Sequence, residues 1–320
     1  MFAAYAARVD RDQPLNGLEL GERPEPEVPP GWTAIDVRAA SLNHHDLWSL
    51  RGVGLGEESL PMILGCDAAG VDADGNEVVL YPVIGATGHG VGPREQPSIL
   101  TEKYQGTFAE RVAVPQWNVL PKPKELSFEE AACLPTAWLT AYRMLFTNAG
   151  VRPGDSVLVQ GAGGGVATAA IVLGAAAGLR VFATSRDAAK RRRAEELGAE
   201  AALESGARLP HRVDAVIETV GAATWSHSVK SLRRGGTLVI SGATSGVTPP
   251  SGELNRIFFL ELKVVGSTMG SKEELAGLLN FCAAKGVRPV VDSVLPLERA
   301  REGFEKMAAG DIFGKVVLTR

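Results

Sequence analysis

The stretch Ser156-Val-Leu-Val-Gln-Gly-Ala-Gly-Gly-Gly-Val-Ala-Thr-Ala-Ala170 runs apolar, stops in consecutive glycines and resumes in small helix formers. Val157, Leu158 and Val159 suit a strand covered on both faces, as strands of a parallel sheet are. Gly163, Gly164 and Gly165 let the backbone turn tightly and approach an anion, toward which the first N–H groups of the next helix point. No frame gives a full Gly-x-Gly-x-x-Gly/Ala fingerprint. Starting at Gly161 or Gly163 puts Val166 or Thr168 where a small residue is needed, whereas Ala162-x-Gly164-x-x-Ala167 keeps the central glycine and the small third residue. The stretch therefore reads as strand, pyrophosphate-binding turn and helix.

Working outward, the same alternation continues. Strands are expected at 156–161, 180–184, near 201, at 214–219, 236–241 and 262–266, with helices at 164–177, 187–197 and 223–232 between them. That succession implies an α/β fold with a doubly wound parallel sheet. On the N-terminal side, Ser127-Phe-Glu-Glu130 is a capping box opening helical patterning from Ala131 to Leu145. Before it lie short alternating runs, Trp32–Arg38, Glu77–Tyr81 and Phe108–Val114, with Asp74-Gly75 as a hairpin turn, which read as an antiparallel β domain. The tail, helical at 272–284 and 298–309 and extended at 294–297 and 315–318, returns to that domain. The expected domains are thus 1–123 with 269–320, and 124–268.

A chain of 320 residues accommodates two domains. Lys plus Arg is 33 and Asp plus Glu is 37, a net charge of −4, so no global basic field draws nucleic acid or an anionic membrane. Met1–Asp10 lacks a basic segment followed by an apolar core, and the longest apolar window, 166–183, is broken by Gly174, Gly178 and Arg180. No secretory signal or membrane span is expected, and a cytoplasmic location is. Cys66, Cys133 and Cys282 are odd in number and widely spaced, with no C-x-x-C pair, which argues against a disulfide framework.

Ser41-Leu-Asn-His-His-Asp-Leu-Trp48, Leu64-Gly-Cys-Asp-Ala-Ala-Gly70, Gly106-Thr-Phe-Ala-Glu110, Ser127–Ala132, the glycine turn, Gly242-Ala-Thr-Ser-Gly246, Gly266-Ser-Thr-Met-Gly270 and Phe313–Leu318 resemble, in order, motifs of the medium-chain dehydrogenase/reductase superfamily. The resemblance spans essentially the whole chain. It implies a GroES-like β domain beside a Rossmann domain, a small-molecule substrate, hydride transfer with NAD(P)H and a homodimer. By resemblance, Gly164, Gly165 and Val166 bind pyrophosphate, and Thr219 and Val220 border the adenosine. Gly242, Ala243, Thr244, Ser267 and Thr268 line the nicotinamide half, and Gly314 and Lys315 complete the cofactor cleft. Asn43, Trp48, Cys66 and Thr136 lie where substrate and nicotinamide meet.

Zinc members of that superfamily hold the catalytic metal with Cys, His and Cys at positions matching Asn43, Cys66 and Thr136. An amide, a lone thiol and a hydroxyl are a poor set for Zn²⁺, and the stretch matching the structural-zinc lobe, Val83 to Tyr104, has no cysteine. No metal is expected. His44 and His45 are read as strand neighbours facing opposite ways, unable to share an ion. Trp48 is bulky where quinone reductases often carry Tyr, which puts a Tyr-type substrate contact in doubt.

An NAD site usually ends its second strand in Asp or Glu, about 20 residues past the glycines, to bind the ribose 2′-hydroxyl. Here the strand ends in Thr184 or Ser185, so Ser185 and Arg186 face the 2′ position, with Lys190 one turn on. Asp187 reads as the N-cap of the next helix; a two-residue shift would make it the ribose ligand instead. Arg191, Arg192 and Arg193 read as a solvated face paired with Glu195 and Glu196. NADP(H) is the expected cofactor. Without a metal to polarise a simple carbonyl, the expected acceptor is a quinone or an α,β-unsaturated carbonyl, which spreads the incoming charge itself. Asn43 or Thr136 is a candidate donor to that oxygen, and each is equally a candidate ribose-binding group. No proton donor stands out. The alternatives are an alcohol or aldehyde oxidoreductase, and a low-turnover NADPH-binding redox sensor.

Overall fold

The strand expected from the opening stretch forms over Ser156–Gln160 with every residue buried, and the helix Gly165–Ala176 follows the glycines. The computed structural model describes residues 1–85 and 97–320, which divide into one unit of Met1–Thr136 with Gly270–Arg320 and another of Ala137–Met269. The second unit holds a six-stranded, all-parallel sheet. Across it lie Ala201–Leu203, Arg180–Thr184, Ser156–Gln160, Val213–Glu218, Leu232–Ile240 and Lys263–Gly266. This is the 3-2-1-4-5-6 order of a doubly wound dinucleotide fold, which reverses beside Ser156–Gln160 at the place where such sheets take their ligands. Close helix–sheet packing has a visible cause. A Cβ on Gly174 would stand 2.8 Å from Val181 Cγ2, so the helix Gly165–Ala176 lies against Arg180–Thr184 only because glycine is there.

In the first unit the strand Trp32–Ser41 is the hub, antiparallel to Asp67–Asp72, Arg111–Pro115 and Lys315–Thr319. The C-terminal segment therefore does return to the N-terminal domain. Beneath this sheet Ile35, Leu64, Phe108 and Phe304 share one apolar core, with the two Phe rings edge to face at 6.0 Å. Asp74-Gly75 makes the expected turn: Gly75 sits at φ +85°, and Asp72 Oδ1 accepts from the amides of Asp74 and Asn76.

The chain departs from its sequence pattern in three places. The helix expected from Ala131 to Leu145 is α-helical only over Phe128–Ala132 and Leu139–Tyr142, with wider π-helical turns at Leu134–Trp138 and Arg143–Ala149. Pro135 lies in the first wide turn, where it supplies no N–H to an α ladder. Phe128–Ala132 packs on Trp32–Ser41 and Asp67–Asp72, which draws residues 124–136 into the first unit. His44 and His45 are not on a strand. They open the helix His44–Leu50, because Asn43 and Asp46 form a capping box whose pull on the backbone outweighs the extended pattern before it.

Candidate active site

The first unit gathers its polar side chains around Asp67, which is wholly buried. Thr136 Oγ1 donates to Asp67 Oδ1 at 2.5 Å, Asn43 Nδ2 donates to Oδ2 at 2.8 Å, and Ser41 Oγ lies 2.9 Å from Oδ2. Lys315 Nζ donates to Leu42 O at 2.7 Å and to Asn43 Oδ1 at 2.6 Å, and stands 3.4 Å from Asp67 Oδ2. An ammonium only donates, so the Asn43 amide must turn its oxygen to Lys315 and its N–H groups to Asp67 and to Ser41 O. Thr136 has one proton, and Asp67 takes it. The two side chains offered by the sequence as donors to a substrate oxygen have thus already spent their protons. The wide turn at Leu134–Trp138 is what places Thr136 here, half-buried.

A second group lies alongside. Cys66 is fully buried, its Sγ donating to Leu100 O at 3.3 Å, and burial pushes the thiol well above its usual range. His45 Nε2 lies 3.0 Å from Thr101 Oγ1, whose other hydroxyl neighbour is Ser49 Oγ at 3.4 Å. Burial pushes His45 down to about 4, so the ring is neutral at physiological pH. Thr101 sits at φ +79°, a left-handed conformation that costs a β-branched residue roughly 1–3 kcal/mol and tends to mark functional sites. Asp46, wholly buried, accepts the amides of Asn43 and Gly65, and desolvation raises its carboxyl to about 7. Trp48, on the helix His44–Leu50, is half-buried.

This donor set does not fit zinc. Asn43 and Thr136 turn protons rather than lone pairs inward to Asp67, Cys66 is held as a thiol, and an ammonium already serves as the local cation. Among the described residues no cluster of three His, Cys, Asp or Glu side chains is placed to hold a metal ion. Part of the stretch matching the structural-zinc lobe, residues 86–96, lies outside the described residues.

The second unit fits a dinucleotide. Gly161 adopts φ +80°, Gly164 caps the helix Gly165–Ala176, and nothing lies within 4 Å of where a Gly164 Cβ would stand. Among the described residues no protein acceptor takes the amides of Ala162, Gly163, Gly164, Gly165 or Val166, an open row of N–H groups at a helix N-terminus. The second strand ends at Thr184. Ser185 is buried, Arg186 is exposed, and Asp187 caps the next helix, its carboxylate accepting from Ala189 and Lys190 amides at 2.6 and 3.2 Å. Lys190 is half-buried on that helix. Arg191 corrects the expectation of a solvated face, because its Nη1 reaches back to Ser185 O at 2.7 Å and pins the strand end.

Thr219 and Val220 follow Val213–Glu218, with Glu218 Oε1 accepting the Val220 and Gly221 amides. Gly242, Ala243 and Thr244 follow Leu232–Ile240, where Thr244 N bonds Thr219 O at 3.3 Å. Ser267 and Thr268 follow Lys263–Gly266. All of these lie beyond the carboxyl ends of parallel strands. Gly314 and Lys315 belong to the other unit; Gly314 is at φ +107°, and Lys315 is turned into that unit's own interior. Sequence reasoning missed Asp67, Ser41, His45 and Thr101 as a working group. The available signal was Asp67 itself, a carboxylate inside the apolar run Leu64–Gly70.

Two family models match, one described as an alcohol dehydrogenase GroES-like domain over residues 29–124 and one as a zinc-binding dehydrogenase over residues 165–284. The chain is similar to a zinc-type alcohol dehydrogenase-like protein of Schizosaccharomyces pombe, 30% identical across 95% of this chain and 96% of that one. It is 28% identical to an acryloyl-coenzyme A reductase of Sulfurisphaera tokodaii, across 95% and 97%. A solved NAD-dependent alcohol dehydrogenase superposes with a TM-score of 0.91 at 36% identity, covering 100% of both chains. With a GroES-like domain, a dinucleotide-binding sheet and relatives matched along nearly their whole length, the chain belongs to the medium-chain dehydrogenase/reductase superfamily of oxidoreductases.

Proposed function

We propose that this protein is a zinc-independent, NADPH-dependent oxidoreductase that reduces a quinone or an α,β-unsaturated carbonyl. The observation that carries the reading is the commitment of Asn43 and Thr136 to Asp67, at positions where zinc members of the superfamily bind their metal. With neither Lewis acid nor free donor there, a simple carbonyl has little to polarise it. A conjugated acceptor spreads the charge over its own π system and asks least of the protein.

When bound, the nicotinamide supplies the hydride. The chain's part is to hold it: the amides from Ala162 to Val166 take the pyrophosphate, and Arg186 with Ser185 and Lys190 takes the 2′-phosphate. Asp187 turns Oδ1 to the first amides of the next helix, as an N-cap does, and it is Arg186 that stands at the end of the strand. Likeness to an acryloyl-coenzyme A reductase supports a conjugated acceptor, and likeness to an NAD-dependent dehydrogenase makes NADH the necessary control. The test is NADPH and NADH oxidation against quinones, enones, enoyl thioesters and aldehydes, with metal analysis of the same protein. Stoichiometric zinc, or turnover of aldehydes alone, sinks the proposal and favours the alcohol dehydrogenase reading; cofactor binding without turnover favours a redox sensor.

A homodimer belongs to the same proposal. Lys263–Gly266 is an edge strand with Val264 exposed, and Leu254, Phe258 and Phe259 are each more than two-thirds exposed.

A further inference from the structure

Gln160 is the last residue of its strand, stands immediately before the phosphate-binding turn and is wholly buried. A carboxamide inside a parallel sheet is costly unless its hydrogen-bonding groups are met. Thr184 Oγ1, at the end of the second strand, donates to Gln160 Oε1 at 2.6 Å. Gln160 Nε2 lies 2.9 Å from Ser228 Oγ and 2.8 Å from His227 Nδ1, both on the helix Trp225–Ser231. Ser228 Oγ donates to Glu218 Oε2 at 2.5 Å, and Glu218, also buried, accepts the Val220 and Gly221 amides through Oε1. One chain of hydrogen bonds therefore joins the turn after the first strand, the end of the second and the turn after the fourth. We propose that Gln160 is a positioning residue for the dinucleotide, holding these three carboxyl ends in one arrangement through an amide whose orientation His227 dictates. The inference rests on dinucleotide binding by this sheet, and on neither the acceptor nor the choice of NADPH over NADH.

The joined turns also touch. A Cβ on Gly161 would stand 3.1 Å from Val220 Cγ2, and the Gly161 amide lies 3.4 Å from Thr184 Oγ1. A shift of either turn is therefore felt at the row of amides from Ala162 to Val166.

Counting protons fixes the amide. Ala207 O can only accept, so His227 donates to it from Nε2 at 2.9 Å, and in the neutral ring Nδ1 is left as a lone pair. Gln160 Nε2 is then the donor to His227, Oε1 is left for the Thr184 proton, and the Ser228 proton goes to Glu218. A protonated ring would set Nδ1–H against the amide N–H groups and turn the amide over, taking from Thr184 the acceptor it has. His227 is half-buried, so a proton can reach it. Around its helix Asp214 pairs with Arg233, Glu253 with Lys230 and Arg234 with Glu261. Arg256 lies on the adjoining helix Leu254–Phe259, and Arg208, His211 and Arg212 follow Ala207. Glu218, one hydroxyl away through Ser228, is the charged group bonded into the same chain.

Gln160→Leu breaks the chain of bonds. Gln160→Glu puts an acceptor where Nε2 donates, and one added proton, shared between the new carboxylate and His227, restores the donor. By calorimetric titration of folded protein, Gln160→Leu is expected to raise the Kd of NADP⁺ and of NAD⁺ alike by about tenfold. The Kd of Gln160→Glu divided by that of the wild type is expected to fall by about tenfold from about pH 8 to about pH 5.5, the span in which an imidazole ordinarily titrates. Titration of the nucleotide and of groups common to both proteins cancels in that ratio. A Gln160→Leu protein that loses thermal stability yet binds both nucleotides as the wild type does, or is weakened toward NADP⁺ alone, overturns the inference, as does a Gln160→Glu ratio that stays constant with pH. Should Gln160→Leu not fold, the Gln160→Glu ratio decides alone. Wild-type protein that binds neither nucleotide would refute the dinucleotide reading itself.

Discussion

Lys315 Nζ stands 3.4 Å from Asp67 Oδ2, with both side chains at 2% exposure or less. Two charges so placed hold each other. Removing one leaves the other buried and unpaired, at a cost of about 3–5 kcal/mol. Asp67→Ala and Asp67→Asn both remove the charge and leave Lys315 unpaired, so each is expected to lose about that much unfolding free energy in urea. A loss in Asp67→Asn far below that of Asp67→Ala would show that the shape and hydrogen bonds of the side chain, not its charge, hold the cluster.

His45 and Asp46 make opposite predictions for stability against pH. Burial lowers His45 to about 4 in the fold against 6.5 free, so its contribution is complete above pH 6.5 and is lost as pH falls toward 4. Desolvation raises Asp46 to about 7, so its contribution is complete below its free value near 3.8 and is lost as pH rises toward 7. The two nearly cancel in the wild type. In His45→Asn only Asp46 remains, so the variant gains stability relative to wild type as pH drops from 6.5 to 4, by at most about 1.4 kcal/mol per pH unit. Chemical denaturation across that range measures it; parallel curves would contradict the burial of a neutral His45.

Arg186 is exposed just past the strand end, while Asp187 is committed to its helix cap. Arg186→Ser is expected to raise the KM for NADPH by about tenfold or more and to leave the KM for NADH unchanged, since one charge-assisted contact to phosphate is worth roughly 1.5–3 kcal/mol. An equal rise for both cofactors would place Arg186 elsewhere.

Gly174→Ala sets helix propensity against packing. Alanine gains about 1 kcal/mol in a helix interior, but its Cβ would stand 2.8 Å from Val181 Cγ2, and overpacking costs about 1–3 kcal/mol. A lower melting temperature is expected; a higher one would mean the helix moves freely off the sheet.

Much of this fold is legible in local pattern. Parallel strands buried on both faces read as apolar runs, and capping residues such as Ser127 and Asp187 mark helix starts by their own hydrogen bonds. The cofactor half of the site shares this legibility, because a glycine turn and a strand end are local features. The other half is not local. Asp67 acquires its meaning from Lys315, nearly the whole chain away, and from Thr136 on a wide turn that α periodicity does not announce. His45 was misread as extended because the box closed by Asn43 and Asp46 depends on backbone contacts, not hydrophobic spacing.

The most direct test of the central claim is steady-state NADPH oxidation by protein shown to be metal-free, with 1,4-benzoquinone, an enone, an enoyl thioester and an aldehyde as acceptors and NADH run alongside. Turnover of the conjugated acceptors with NADPH preferred, unchanged by a zinc chelator, is the predicted result. Activity confined to the aldehyde, or appearing only when zinc is added, would contradict it.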